Sequence, residues 1–299
     1  MQGKFQCHGT GNQNLSIFKD VRTSFEDAPV LESFSGTSQP AVVGEPQEPI
    51  SPAISQVGDT VFLGVDLGWY GKPSGLASIV KNRDGLSLRK VARLEDSDAI
   101  LRWIKSETAG SKSAVVAVDA PLVILNRAGI RDAERELNGD FRRFHAGCHP
   151  ANLGLPFAQN VLSFSRRLAD LGFVHGAEMT MRQQGHFQIE VYPHAATVTL
   201  FDLPQIVKYK RGRRAEKAKE LRRLRKLMLS RLPLLEPALS LRLPAIPSTG
   251  NLKPVEDQID AVLCAYIAAH WWFWATERNR VYGCGGTGYI VVPGRRAVA

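Results

Sequence analysis

The chain lacks an apolar run long enough to cross a membrane. In its C-terminal half the longest uncharged run covers residues 261–276, whereas a membrane-spanning helix needs about 20 apolar residues. It also lacks a basic segment followed by an apolar one near residue 1, which is the pattern of a secretory leader. We therefore expect a cytoplasmic protein that does not enter membranes.

Closely paired cysteines are missing as well. The sequence has four widely spaced cysteines and no CxxC pair: Cys7, Cys148, Cys264 and Cys284. Disulfide frameworks occur mainly in small secreted domains with densely spaced cysteines. The spacing here indicates free thiols in a reducing compartment.

The charged residues are unevenly distributed. Residues 1–58 contain three basic and six acidic residues, whereas the whole chain has a net charge of +9, so residues 59–299 carry a net charge of +12. A surface with this excess of positive charge favours a polyanionic partner.

The sequence divides into a tail and one domain. Residues 1–58 are rich in Gly, Ser, Gln and Pro and show no helical or strand periodicity, which predicts a disordered N-terminal tail and linker. Apolar segments begin at residue 59, and we expect one folded domain over residues 59–299. Within it we expect an insertion at about residues 126–155 and a basic helical region at about residues 207–232.

The order of the apolar segments predicts an α/β fold. Runs of strand length occur at residues 61–65, 75–80, 86–91, 114–118, 187–192 and 289–292, and helical spacing occurs at residues 96–107, 160–171 and 256–276. The pair Asp84-Gly85, between the second and third runs, is a hairpin signal. The helix before the fourth run implies a right-handed crossover to a parallel strand. We therefore expect a mixed sheet, with a three-strand meander followed by parallel strands, flanked by helices.

Five acidic residues stand out in this prediction. Asp66 and Asp119 end two apolar strands, Glu190 lies in a later strand, and Asp257 and Asp260 are one helical turn apart. Ligands of open α/β sheets bind at the edge where the strands end. Each acid alone is also compatible with capping a turn or a helix N-terminus. Together they predict a carboxylate cluster.

A carboxylate cluster favours a hard divalent cation. Two unit charges about 4 Å apart repel by about 4 kcal/mol at an effective dielectric near 20, and Mg²⁺ prefers the oxygen ligands that carboxylates supply. A pair of such ions can clamp the attacking and leaving oxygens of a phosphodiester. We therefore expect Mg²⁺ or Mn²⁺ as the cofactor.

Six segments of the sequence resemble one known family. They are residues 64–68 (GVDLG), 118–122 (VDAPL), 133–138 (AERELN), 190–195 (EVYPHA), 208–212 (KYKRG) and 256–261 (EDQIDA). With these segments the chain resembles a bacterial family of predicted RNase-H-like nucleases, in the ribonuclease-H-like superfamily, over about residues 60–294. The resemblance implies a ribonuclease-H-like sheet and a hydrolase that cuts nucleic acid with bound metal.

The resemblance also implies roles for single residues. Asp66 matches the first-strand metal ligand of the superfamily, and Asp257 and Asp260 match the acids on the final helix of its resolvases. Asp119 and Glu190 match acids that two related nuclease types carry on different strands, so they compete for one role. The implied catalytic residues are therefore Asp66, Asp119, Glu190 and Asp260, with Asp257 as a further metal ligand.

A basic segment follows the fifth strand. Residues 208–226 contain eleven Lys or Arg and two Glu, an imbalance that favours contact with a polyanion. We expect nucleic acid to contact the first part of this segment, at Lys208, Lys210, Arg211, Arg213 and Arg214. His194, which follows the strand that carries Glu190, is a candidate for proton transfer or for a helix cap.

One loop combines three side chains that ligate metals. His145, Cys148 and His149 lie close together in the sequence, without a paired second cluster. The spacing is compatible with a zinc site, with substrate contact or with loop packing.

Three functions are compatible with these residues. The first is a metal-dependent nuclease that hydrolyses phosphodiester bonds of DNA or RNA. The second is an actin-like nucleotide hydrolase or phosphotransferase, because the segment at residues 64–68 also opens proteins of that class, which build a nucleotide site from two copies of the fold. The third is a noncatalytic nucleic-acid-binding module of the same fold. A homo-oligomer is compatible with each of them.

Overall fold

The structure, a computed structural model, describes residues 60–82 and 85–294. The tail predicted at residues 1–58 lies outside the described residues, as does Asp84 of the predicted turn. In chain order the strands are β1 (Thr60–Asp66), β2 (Ser74–Asn82), β3 (Gly85–Leu94), β4 (Ser113–Val118), β5 (Val174–His175), β6 (Gly185–Glu190), β7 (Leu239–Ser240), β8 (Asn279–Cys284) and β9 (Gly288–Pro293). The helices are α1 (Ser97–Glu107), α2 (Asp132–Phe141), α3 (Ala158–Asp170), α4 (Pro193–Leu200), α5 (Arg214–Arg231) and α6 (Lys253–Trp274).

The main sheet has seven strands in the order β5-β6-β4-β1-β2-β3-β7. β1, β2 and β3 form an antiparallel meander, in which β2 and β3 pair as the predicted hairpin. β4 is parallel to β1, and β6 is parallel to β4. The predicted fold class, a meander followed by parallel strands with flanking helices, is confirmed. The predicted closing strand at residues 289–292 lies in β9, which pairs with β8 in a separate two-stranded sheet.

Helices cover both faces of the main sheet. Successive residues of a strand point to opposite faces, and in β1 Val61, Leu63 and Val65 pack with α1 and α3, whereas Phe62 packs with α6. Burying a side chain of this size contributes about 1.5–3 kcal/mol. Because neither face meets water, the central strands are continuous apolar runs rather than alternating ones.

α6 lies directly against the backbone of β1 and β2. A Cβ atom on Gly64 would overlap the backbone oxygen of Ala261, and one on Gly75 would overlap that of Asp257. Only glycine permits this approach, because it has no side chain at the contact. Gly75 also pairs with Asp66 in the β1–β2 ladder. The contact therefore brings the first turns of α6 to the end of the sheet where β1 ends.

α5 is shorter than the basic helical region predicted at residues 207–232. Gly212 has φ +95°, a left-handed conformation that ends or precedes a helix, and α5 begins only at Arg214. Residues 207–213 form a loop instead. The predicted insertion at residues 126–155 contains α2, whose buried residues pack with α4, β8 and β9. Among the residues that the structure describes, no helix combines the length and apolarity that a bilayer crossing requires.

Candidate active site

Two of the predicted acids lie at the ends of neighbouring parallel strands. Asp66 is the last residue of β1, and Asp119 directly follows β4. The backbone amide of Asp119 donates to the carbonyl oxygen of Val65 at 2.9 Å, so the ladder between the two strands continues to this point. The two carboxylates therefore leave the sheet side by side.

The alternation of the strands directs both carboxylates towards α6. Gly64 contacts α6, and Asp66 is two residues further along the same strand. Ala117 packs in the same cluster as α6, and Asp119 is again two residues further along. Residues two apart share one face of a sheet. Asp260, in the first half of α6, is therefore the third acid at this position.

The charge of Asp260 acts on both strand-end acids. Burial raises the pKa of Asp66 well above its usual value, and the charge of Asp260 raises it further. Burial raises the pKa of Asp119 to about 6; Lys210 opposes this shift, and Asp260 adds to it. A nearby like charge disfavours the ionised form of a carboxylate. Burial and the charge of Asp260 thus both favour the protonated forms of Asp66 and Asp119.

Asp260 is fully buried and has two partners from the loop before α5. Its Oδ1 accepts a hydrogen bond of 2.6 Å from the Tyr209 hydroxyl, and its Oδ2 lies 2.8 Å from Lys210 Nζ. The ammonium does not have hydrogen-bond geometry towards Oδ2, and no other donor in the described residues reaches that atom. Burial lowers the pKa of Lys210, but Asp260 and its neighbours outweigh this effect and raise it well above the usual value.

Asp257, the other predicted acid of α6, is neutralised by two basic side chains. Its Oδ2 accepts a hydrogen bond of 3.0 Å from Arg93 Nε, and its Oδ1 lies 2.7 Å from Lys253 Nζ. Arg93 belongs to β3. This buried carboxylate therefore ties the first turn of α6 to the edge of the meander.

Glu190 is in a different environment. Both its oxygens accept hydrogen bonds from the Arg131 guanidinium, at 2.6 and 2.9 Å, and Oε2 also accepts one from the Leu122 amide at 3.0 Å. Burial raises the pKa of Glu190 to about 7, although Arg131 opposes the shift. Arg131 also holds Glu134. Glu190 is thus the centre of a buried ion-pair network, outside the cluster of three aspartates.

His194 lies beside the cluster rather than in it. Its ring stacks on Tyr209, with the ring centroids 5.6 Å apart, and Tyr209 binds Asp260. Burial and then the charge of Lys210 lower the pKa of His194 to about 4. The imidazole is therefore neutral at neutral pH, and its lowered pKa makes it a weak proton acceptor.

The five basic residues predicted to contact nucleic acid divide into three groups. Lys208, Arg211 and Arg213 are exposed. The guanidinium of Arg214 donates to backbone carbonyl groups of the loop at residues 247–250. Lys210 points into the cluster instead. Sequence reasoning assigned Lys210 to nucleic-acid contact, did not predict its contact with Asp260, and missed Tyr209. The available signal was the alternation of residues 208–210, since Tyr209 is buried between two lysines.

The donor chemistry of the cluster fits a hard divalent cation. Asp66, Asp119 and Asp260 supply only oxygen atoms, which suits Mg²⁺ or Mn²⁺, and the buried Oδ2 of Asp260 receives no hydrogen bond. Within residues 60–82 and 85–294, no three or more Asp, Glu, His or Cys side chains lie close enough together, in their present conformations, to hold one metal ion. The cation that already lies against Asp260 is the ammonium group of Lys210. A metal ion would share this carboxylate with it.

Comparisons with known proteins identify a family and a structural likeness. The profile of a family described as "Protein of unknown function (DUF429)" matches residues 64–283, a range that includes all the acids discussed above. The fold is similar to the human cytomegalovirus terminase nuclease domain, in a structure soaked with Mn and bound to an inhibitor. The identity is 9%, the match covers 72% of this chain and 83% of that chain, and the TM-score is 0.28, too low to carry an argument about function. The comparison with curated proteins found no match.

Proposed function

The chain belongs to the DUF429 family, and we propose that it is a metal-dependent nuclease that hydrolyses phosphodiester bonds of nucleic acid. The observation that supports the proposal most is the placement of Asp66 and Asp119 at the ends of β1 and β4, facing Asp260 of α6; burial, and then the charge of Asp260, raise the pKa values of Asp66 and Asp119. Perturbed carboxylates gathered at the carboxyl ends of strands are typical of functional sites. A net positive chain with exposed basic residues beside this cluster supports a polyanionic substrate.

Three residues would hold the metal. In this proposal Mg²⁺ or Mn²⁺ binds Asp66, Asp119 and Asp260, and when bound it stabilises charge on a phosphate oxygen and lowers the pKa of a bound water. We do not include Glu190 or Asp257 as ligands, since guanidinium and ammonium groups already hold their oxygens. Asp257 instead has a positioning role, because it fixes the turn of α6 that carries Asp260.

The remaining residues of the site would orient the substrate and stabilise its negative charge. The side chain of Lys210 is 32% exposed, so its ammonium is accessible both to Asp260 and to an incoming phosphate, whose charge it would stabilise. Lys208, Arg211 and Arg213 would contact neighbouring phosphates and set the register of the strand. His194, neutral and packed on Tyr209, would hold in place the ring whose hydroxyl group binds Asp260.

The test is a substitution that keeps the shape of the site and removes one charge. Asp66→Asn should reduce Mn²⁺-dependent cleavage of single-stranded, duplex and hybrid oligonucleotides by at least about 100-fold, and it should weaken Mn²⁺ binding measured by calorimetry. Asp132→Asn, at an exposed acid of α2, is the matched control and should change neither. Full activity of the Asp66→Asn protein would refute the proposal.

The actin-like alternative has a different requirement. It needs two copies of the fold around a nucleotide, whereas the described part of the chain contains one seven-stranded sheet and one two-stranded sheet. Saturable ATP hydrolysis without cleavage of any oligonucleotide, in the same assays, would support that alternative against the nuclease.

A further inference from the structure

A cavity of about 330 Å³ lies beside the carboxylate cluster. Asp119 is part of its wall, and so are Trp69, from the loop after Asp66, and Tyr192, from the segment after β6. The cavity therefore opens where β1, β4 and β6 end, which is the position of ligand sites in open α/β sheets. A group bound in it would lie directly next to the proposed metal site.

Aromatic side chains form much of the wall. Trp69 is 41% exposed despite its size, and Phe157 packs edge-on against it, with ring centroids 4.1 Å apart. The loop that carries Trp69 is fixed, because the Gly68 amide donates to Ser74 Oγ at 2.9 Å and a Cβ atom on Gly68 would overlap the Lys72 carbonyl. A positioned and partly exposed indole is a stacking surface for a planar group.

The charges of the wall exclude a phosphate from the cavity itself. Asp119, Glu134 and Glu190 are acidic, and the one guanidinium group, Arg131, is already paired with both glutamates. The net negative charge of the wall would repel an anion inside the cavity, whereas it would not repel a neutral planar ring. The basic groups that suit a phosphate lie outside the cavity, at Lys210 and its exposed neighbours.

The loop with Cys148 and His149 supplies polar groups at the cavity. Its backbone is held by Asn138, whose side chain accepts from the Cys148 amide at 2.8 Å and donates to the Cys148 carbonyl at 3.1 Å. Both Cys148 and His149 line the cavity, and His149 is exposed. Of the three uses that the sequence allowed for this loop, substrate contact agrees best with this placement.

We propose that the cavity binds one unstacked nucleobase, with Trp69 as the stacking partner, so that the phosphate attached to this nucleotide reaches the carboxylate cluster. The inference rests on the proposed nuclease function and narrows its substrate. A base enters such a cavity only from a single strand or after leaving a duplex, and the protein therefore acts on unpaired nucleotides. A free nucleotide carries the same base and phosphate, and the experiment distinguishes binding of a free nucleotide from binding of a strand.

Binding is measured with the full chain in EDTA, which stops metal-dependent cleavage. The probe is a single-stranded oligodeoxynucleotide with one 2-aminopurine, whose fluorescence is quenched on stacking; the same strand in a duplex and 2-aminopurine nucleoside monophosphate are the other two probes. We expect quenching with the single strand, none with the duplex, and much weaker binding of the monophosphate. Trp69→Ala should weaken single-strand binding about 5- to 150-fold, because stacking contributes about 1–3 kcal/mol per base, and Trp69→Phe should restore most of it.

The matched control is Trp274→Ala. Trp274 is half-buried under Arg278 at the far end of α6, about 21 Å along the helix from Asp260, and its loss should leave binding unchanged. Unchanged single-strand binding by Trp69→Ala, or equal quenching with the duplex, would overturn the inference. If the monophosphate binds as tightly as the single strand, the bound base does not come from a strand. If the strand binds through Trp69 but Asp66→Asn does not alter cleavage, the nuclease proposal fails and the base site remains.

Discussion

Replacing Lys210 by methionine separates metal affinity from catalysis. Lys210 Nζ lies 2.8 Å from Asp260 Oδ2, the buried oxygen that receives no hydrogen bond. In the proposed nuclease a metal ion and this ammonium compete for one carboxylate, while the ammonium also stabilises the phosphate. Lys210→Met should therefore increase the affinity for Mn²⁺ and decrease cleavage. Methionine keeps the length of the side chain and its apolar packing.

The expected increase in Mn²⁺ affinity follows from the ion pair between Lys210 and Asp260. Two unit charges 2.8 Å apart attract by about 6 kcal/mol at an effective dielectric near 20. Because the side chain of Lys210 is 32% exposed, water screens much of this attraction. If about a quarter of this attraction remains, about 1.5 kcal/mol, the affinity for Mn²⁺ should rise about tenfold.

Calorimetric titration with Mn²⁺ and cleavage of a single-stranded oligonucleotide are the two assays. We expect a lower dissociation constant together with a rate reduced by at least about tenfold even at saturating metal. The control is Lys208→Met, a change at an exposed lysine two residues before Lys210, which should leave the affinity for Mn²⁺ unchanged. A Lys210→Met protein that folds normally and binds Mn²⁺ more weakly than the wild type would refute the competition, and with it the assignment of Asp260 as a metal ligand.

Two further predictions concern the scaffold. Gly64→Ala should destabilise the fold by about 3 kcal/mol or more in urea denaturation, because the methyl group would overlap the backbone of α6; Gly139→Ala, which has no neighbour within 4 Å, should be neutral or stabilising by up to about 1 kcal/mol. Burial lowers the pKa of His270 from 6.5 to about 4, so the unfolded state binds a proton that the folded state does not as the pH falls from 6.5 to 4. The free energy of unfolding should decrease over this window, by up to about 3 kcal/mol from this group, and His270→Gln should flatten the decrease; an equal slope in both proteins would show that other groups are responsible.

Strand periodicity was sufficient to predict β1 to β4 and β6 of the main sheet, together with the strand ends that carry Asp66 and Asp119. Asp66 and Asp119 each follow an apolar run that has the length of a buried strand, and their position at the same edge follows from the parallel crossover. The spacing of Asp257 and Asp260 predicted a shared helical face but not their different partners. Those partners, Arg93 and Lys210, come from segments far away in the sequence, which local patterns do not connect.

The loop before α5 shows where local patterns fail. Its high content of basic residues predicted a helical region from about residue 207. The left-handed Gly212 delays the start of the helix to Arg214, and the turn at Tyr209 and Lys210 places both side chains against Asp260. Helix propensity depends on each residue and its close neighbours, whereas this turn is stabilised by contacts of Tyr209 and Lys210 with Asp260.

The choice between Asp119 and Glu190 depends on one rule that the sequence already contains. In β6 the apolar side chains of Phe187 and Ile189 face α6, so Glu190 must point to the other face. The register agrees, because Glu190 pairs with Val118 and not with Asp119. A buried carboxylate on that face needs a cation, since an unpaired charge in the interior is strongly unfavourable. Arg131, 59 residues earlier in the chain, supplies it, and for this reason the proposed nuclease uses Asp119 rather than Glu190 as the strand-end metal ligand.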